Sequence, residues 1–264
     1  MSARGGRRPV PPATVLAYHG VGSCPGGGRP HRCVCISVES FRSQMRFLSR
    51  FRHVVSLRDA VEGPRRRSRR AVAITFDDAY ENVLANAVPL LEHYGFPASV
   101  FVPTRWIGGE NTWDALTDCY PLDIMDEAAL READCRGLTV ESHGHGHIDL
   151  ERAPRSVVAE DLELSKASLA RVLGRVPRYL AYPYGRQSAD TRRAAEAAGF
   201  EDAFLFDQVG AGRFARERVS VDGHEGRARL RLKTAGGYLA RRRSPLGAAC
   251  ASLVRRVVPS RVGS

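Results

Sequence analysis

The 264-residue chain contains no run of about 18 or more apolar residues, so no stretch of it reads as a membrane-spanning helix. Its six cysteines (Cys24, Cys33, Cys35, Cys119, Cys135 and Cys250) include no CxxC pair, and Cys24, Cys33 and Cys35 with His31 match no common zinc module. They are read as reduced thiols. The Arg/Gly/Pro-rich N-terminus, 1–12, leads into no long apolar segment, which argues against an export signal and for a cytoplasmic protein. Lysine is nearly absent: Lys166 and Lys233 stand alone, so the formal charge of +11 is almost entirely arginine. No aromatic-plus-basic motif accompanies that charge, so nucleic acid is set aside as a partner and the arginines are read as scattered over the surface.

What is present suits one large α/β domain, since the length supports a sizeable core and the 43% hydrophobic and 26% charged content are ordinary for a globular protein. Val15–Tyr18, Ala71–Phe76, Ala98–Val102, Leu138–Val140, Tyr179–Tyr182 and Ala203–Phe206 read as buried strands, the near-continuous apolar runs of a parallel sheet covered on both faces. Helical patterns separate them: one opening at Ser40-Phe41, one over Glu81–Tyr94 despite Pro89, a short one over Glu127–Ala133, one over Ser156–Leu173 capped by Ser156, and one over Ser188–Ala198. Strands alternating with helices this many times favour a barrel over an open sheet. The expected organisation is a flexible arm over 1–13, a catalytic domain over 14–240 and a basic tail over 241–264 that could rest on an anionic membrane.

Chemistry concentrates in two places. Ile74-Thr-Phe-Asp-Asp78 ends an apolar strand in adjacent carboxylates, and Ser142-His-Gly-His-Gly-His147 follows the strand at 138–140. A catalytic divalent ion takes three N/O ligands and keeps one position open. Asp78, His143 and His147 supply three such ligands and leave Asp77 for proton transfer, because a carboxylate committed to an ion is a poor base. If the segment is helical, His143 and His147 share a face and His145 points elsewhere. An imidazole-plus-carboxylate set suits Zn²⁺ first, with Co²⁺, Ni²⁺, Mn²⁺ and Fe²⁺ as alternatives. Tyr18-His19 and Tyr182-Pro-Tyr-Gly185 end two further strands, and in a βα barrel all four strand ends meet at one face.

Thr75-Phe-Asp-Asp78, His143 through His147 and Pro183-Tyr-Gly185, in this order and over roughly 14–238, resemble the polysaccharide deacetylase (NodB-homology, carbohydrate esterase family 4) domain. Tyr18-His19 resembles its permuted exopolysaccharide (poly-N-acetylglucosamine) deacetylase branch. The resemblance implies a distorted, seven-stranded, TIM-like (β/α) barrel and metal-dependent removal of acetyl from an N-acetylated sugar. It implies Asp77 as base, Asp78, His143 and His147 as ligands, the backbone N–H of Tyr184 as oxyanion donor, and His19 as the acid that protonates the leaving amine, with His224 as second choice. Tyr182, Pro183 and Trp106 are candidate substrate contacts. Three features depart from the family pattern: Ala181-Tyr182 replaces the usual arginine before the P-Y turn, Ala79 replaces a glycine, and no C-terminal Leu-x-His occurs. O-acetyl ester hydrolysis, hydrolysis of another C–N amide bond, and a silent glycan- or membrane-binding domain are the competing readings.

Overall fold

A computed structural model describes residues 13–23, 34–63, 70–114, 121–210, 212–223 and 225–239. The arm up to Pro12, the tail over 241–264, and His31, His224, Cys24, Cys33, Cys119 and Cys250 lie outside the described residues. Seven parallel strands run β1 (Thr14–Tyr18), β2 (Ala71–Phe76), β3 (Ala98–Val102), β4 (Leu138–Ser142), β5 (Tyr179–Ala181), β6 (Asp202–Phe204) and β7 (Arg218–Ser220), in the spatial order β7-β1-β2-β3-β4-β5-β6. The loop entering β7 returns to β6 through a parallel bridge of Phe204 with Arg216 and through Leu205 N–H to Arg216 O at 2.8 Å. The sheet is therefore a nearly closed (β/α) barrel. Every residue of β2 is buried, as its uninterrupted apolar run requires.

Register decides what enters the barrel. Val15 pairs with Ala73 and with Arg218, Thr75 with Ser99, Phe101 with Glu141, and Ala181 with Phe204. Side chains alternate along a strand, so Val15, Ala73, Phe101, Tyr179, Ala181 and Phe204 share the enclosed face, where they form one apolar cluster. Arg218 lies on that face too, fully buried, its guanidinium 5.0 Å from the centroid of the Phe101 ring. The larger cluster, with Leu16, Ile74, Val100 and Val140, faces the outer helices.

Those helices are α1 (Val38–Phe51), α2 (Leu57–Glu62), α3 (Val88–Tyr94), α4 (Glu127–Cys135), α5 (Arg155–Leu173), α6 (Ala189–Ala197) and α7 (Arg227–Lys233). Three expectations need correction. α1 opens earlier than Ser40, because Ser37 caps it by accepting from Ser40 N–H at 3.1 Å. α5 is preceded by Pro154 and has no side-chain cap, so Ser156 stands inside it. The continuous helix read over Glu81–Tyr94 is a π-turn at Val83–Ala87 followed by α3, with Pro89 in the first turn of α3, where its missing N–H costs nothing. The strand β7 and the helices α2 and α7 were not anticipated. Among the described residues no helix is long and apolar enough to cross a membrane, Cys35 Sγ accepts from Asn82 Nδ2 at 3.3 Å, and Cys135 is an exposed thiol.

Several arginines at the helix surfaces do pair with acids: Arg136 with Glu92 and Glu132, Arg171 with Glu127, and Arg155 and Arg193 with Asp190. Such exposed pairs each add little stability.

Candidate metal centre

Asp77 and Asp78 follow the last residue of β2 at the C-terminal mouth of the barrel. The chain turns sharply there, with Asp78 at φ 69° and Ala79 at φ 53°. Two successive residues in the left-handed region explain why a glycine is expected at position 79 and why the two carboxylates diverge. Asp78 aims at the histidine loop. Its Oδ1 lies 3.5 Å from His143 Nε2 and 3.4 Å from His147 Nε2, and one ligand atom from each of the three residues falls within 4.8 Å of the others.

The donor chemistry fits a divalent ion. All three side chains are buried, yet Asp78 Oδ1 has no hydrogen-bond partner. His143 Nδ1 donates to Ala181 O at 2.8 Å, which fixes the tautomer and turns the Nε2 lone pair toward Asp78. Burial, with the charge of His147, pushes His143 down to about 4 against the opposing pull of Asp77 and Asp78, so its imidazole is neutral. Burial alone would raise Asp78, but His147, with His19 and His143, holds it below the ordinary carboxylate range. An anionic oxygen and two imidazole nitrogens converging without mutual hydrogen bonds are the donors such a cation takes.

The 143–147 segment is not helical. His143 and His147 converge because the loop is folded back, with Gly144 at φ 76° and His147 at φ 53°. Asp161 of α5 holds that fold by accepting from His145 N–H at 2.8 Å and Gly146 N–H at 2.7 Å. A Cβ at position 144 would come within 2.7 Å of Asp161 Oδ2, so glycine is required there. His145 does point away from the cluster, and its Nδ1 is 2.9 Å from Thr104 Oγ1.

Asp77 has different company. Arg218 reaches it from across the barrel in a two-pronged pair, Nη1 to Oδ1 at 2.5 Å and Nη2 to Oδ2 at 2.8 Å. Arg218 Nη1 also lies 3.2 Å from Thr75 Oγ1, and its Nε donates to Leu205 O at 3.0 Å. Burial would raise the Asp77 carboxyl, but Arg218, with His143 and His19, keeps it below the usual range, so it stays ionised. His19, half-buried at the end of β1, packs its ring edge-on against Phe206 at 5.4 Å, and its charge is felt by both aspartates.

Tyr184 is in the left-handed region at φ 59°, with its ring 47% exposed and 4.9 Å from the His147 ring. Gly185, at φ 68°, faces the Phe206 backbone so closely that a Cβ would meet Phe206 N at 2.7 Å. Pro183, the first residue of this turn, is buried. Tyr182, expected to touch substrate, is instead a core residue: it is fully buried and its hydroxyl donates to Phe214 O at 3.1 Å. Trp106 donates through its indole to Gly146 O at 3.3 Å and packs against Trp113, whose ring stacks on His147 at 4.3 Å and 24°.

Sequence reasoning missed Arg218, Asp161 and Tyr80. Arg218 sits in a three-residue strand too short to show alternation, and a lone arginine in an arginine-rich chain carries no signal. Asp161 is hidden among the charged residues of a long helix. Tyr80, whose hydroxyl donates to Asp78 Oδ2 at 3.0 Å, was legible in principle, being two residues beyond the carboxylate pair.

The polysaccharide deacetylase family model matches residues 65–203. A poly-beta-1,6-N-acetyl-D-glucosamine N-deacetylase of Staphylococcus aureus is 29% identical over 149 residues, which is 53% of this chain and 49% of that protein. The chain thus aligns with about half the length of such curated relatives. Among solved structures, the Streptococcus pyogenes deacetylase PplD in complex with acetate superposes with a TM-score of 0.69 at 18% identity, covering 85% of this chain and 99% of that one. IcaB from Ammonifex degensii gives a TM-score of 0.68 at 22% identity, covering 86% and 98%. At these identities the structural likeness speaks for the fold.

Proposed function

The chain belongs to the polysaccharide deacetylase family, and from that premise we propose that it is a metal-dependent N-deacetylase acting on the acetamido group of an N-acetylated sugar in a glycan, oligosaccharide or glycoside precursor. The observation that carries this reading is the convergence of Asp78, His143 and His147 beside a second carboxylate, Asp77, with its own counter-charge. A binding module has no use for that spare carboxylate.

Asp78, His143 and His147 would hold the ion, Zn²⁺ first. When bound, it would supply Lewis-acid polarisation of the amide and a water acidic enough to react near neutral pH. Asp77 takes the proton of the attacking water as the C–O bond forms. Its pairing with Arg218 aims it, because a two-pronged guanidinium contact fixes the carboxylate plane. The N–H of Tyr184, presented by the left-handed turn, is the donor to the developing oxyanion. His19 gives a proton to the departing sugar amine as the C–N bond breaks and acetate is released. Trp106 and Trp113 form the wall against which a sugar ring would rest. The name of the Staphylococcus aureus relative makes a β-1,6-linked N-acetylglucosamine oligomer the first substrate to try.

The test is acetate release from that oligomer and from other N-acetylglucosamine-containing glycans. Release that stops on chelation and returns with Zn²⁺ supports the proposal. No release from the whole panel, or release unaffected by chelation, contradicts it.

A further inference from the structure

His143 and His147 are oriented in different ways. His143 has the usual arrangement for an imidazole ligand, its second nitrogen hydrogen-bonded to a backbone carbonyl. His147 lacks it: its Nδ1 is buried without a hydrogen-bond partner. What fixes its ring is stacking, with Trp113 parallel at 4.3 Å and Tyr184 edge-on at 4.9 Å.

Trp113 belongs to the excursion between β3 and α4, and the described parts of that excursion also reach the other ligands. Asn111 donates to Tyr80 Oη at 3.2 Å, and Tyr80 Oη donates to Asp78 Oδ2 at 3.0 Å, forming a buried chain that ends on the carboxylate. Asn111 Oδ1 in turn accepts from Leu122 N–H at 2.6 Å, which ties the two limbs of the excursion together. Met125 N–H donates to Ala79 O at 2.9 Å and Glu81 N–H to Asp123 O at 2.9 Å, clamping the returning limb to the aspartate turn. On the outgoing limb, Thr104 and Arg105 donate to the carbonyls of Gly144 and His145, and Trp106 to that of Gly146.

We propose that Asn111 and Trp113 of this excursion, together with Tyr80, set the affinity of the metal centre. Tyr80 and Asn111 position Asp78, and Trp113 positions His147 by stacking where a hydrogen bond would ordinarily act. These are positioning residues and contact no reacting atom. Trp113 then both walls the sugar site and orders a ligand. This inference rests on the reading of Asp78, His143 and His147 as ligands.

The experiment is a zinc titration of the full, metal-stripped chain by competition with a chromophoric chelator, with the visible spectrum of the Co²⁺ form as a second readout. Loss of a residue that orients a ligand weakens metal affinity about 10–100-fold. Tyr80→Phe, which keeps the ring and removes only the hydroxyl, should weaken Zn²⁺ binding by that factor in a metal-free protein that still melts cooperatively. Trp113→Ala should weaken Zn²⁺ binding likewise and alter the Co²⁺ spectrum, and Trp113→Phe should recover most of the affinity. Wild-type affinity in both Tyr80→Phe and Trp113→Ala, with one zinc bound per wild-type chain, overturns the inference and leaves the metal-site reading standing. Failure of the wild type to bind zinc overturns both.

Discussion

Asp77 and Asp78 are adjacent in sequence and both buried, yet they sit in opposite electrostatic situations. Asp77 is saturated: both oxygens bind one guanidinium, which is itself held by Thr75 and Leu205 O. Asp78 is left open: one oxygen takes the Tyr80 hydroxyl, and the other faces two imidazoles with no hydrogen bond. The carboxylate proposed as base is paired within the protein, whereas the one proposed as ligand keeps an oxygen without a hydrogen bond. One left-handed turn, Asp78–Ala79, separates the two environments.

The largest effect should come from breaking the saturated half. Replacing Arg218 with Leu leaves a buried unpaired carboxylate, a change that costs about 3–5 kcal/mol. Denaturant unfolding should register that loss. In any variant that folds, burial is then the dominant influence on Asp77, so its carboxyl moves up. The acid limb of the rate–pH profile, set by ionisation of the base, should therefore move to higher pH; an unmoved limb would separate Arg218 from Asp77 function. The wild-type pair acts in the opposite sense on stability: with the folded carboxyl held below its unfolded value, its contribution is present at neutral pH and is lost as the solution is acidified.

A smaller effect is expected from Asp161→Asn. The amide can accept one of the two loop N–H groups but presents its own donor to the other, which should cost about 1–3 kcal/mol. Because Asp161 shapes the histidine loop and leaves Asp77 untouched, zinc affinity should fall while the acid limb stays in place.

The smallest effect concerns Glu141, inside the barrel. It accepts from Arg178 N–H at 2.7 Å and Tyr179 N–H at 2.8 Å, but burial outweighs these bonds and pushes its carboxyl up to about 7. A folded carboxyl raised above its unfolded value makes stability decline as pH rises through the interval between the two. Melting temperatures should fall modestly from about pH 5 to 7 in the wild type, and Glu141→Gln should flatten that slope.

The open half of the site was far more legible in sequence than the saturated half. Asp78, His143 and His147 could be singled out because the residue types and spacing that a divalent cation takes are recognisable in sequence, and the structure brings one ligand atom of each within 4.8 Å of the others. Arg218 answers to Asp77, 141 positions away, and nothing local marks it. The barrel was readable from apolar runs such as Ala71–Phe76, whose burial on both faces leaves no polar residue in the strand interior but Thr75. The short β7 carries Arg218 in place of an apolar residue and was passed over for that reason. Tyr182 was misassigned because proximity to the Pro183-Tyr184 turn suggested exposure, while strand alternation and the bond to Phe214 O put it in the core.

The division of labour between the two aspartates is tested most directly by measuring zinc stoichiometry and acetate release together in Asp77→Asn and Asp78→Asn. Asp77→Asn should keep one zinc at near wild-type affinity and lose about 10²–10⁴-fold in turnover, the usual contribution of a positioned base, whereas Asp78→Asn should lose the zinc itself. Undiminished acetate release by Asp77→Asn, or loss of zinc from that variant with retention in Asp78→Asn, would contradict the account.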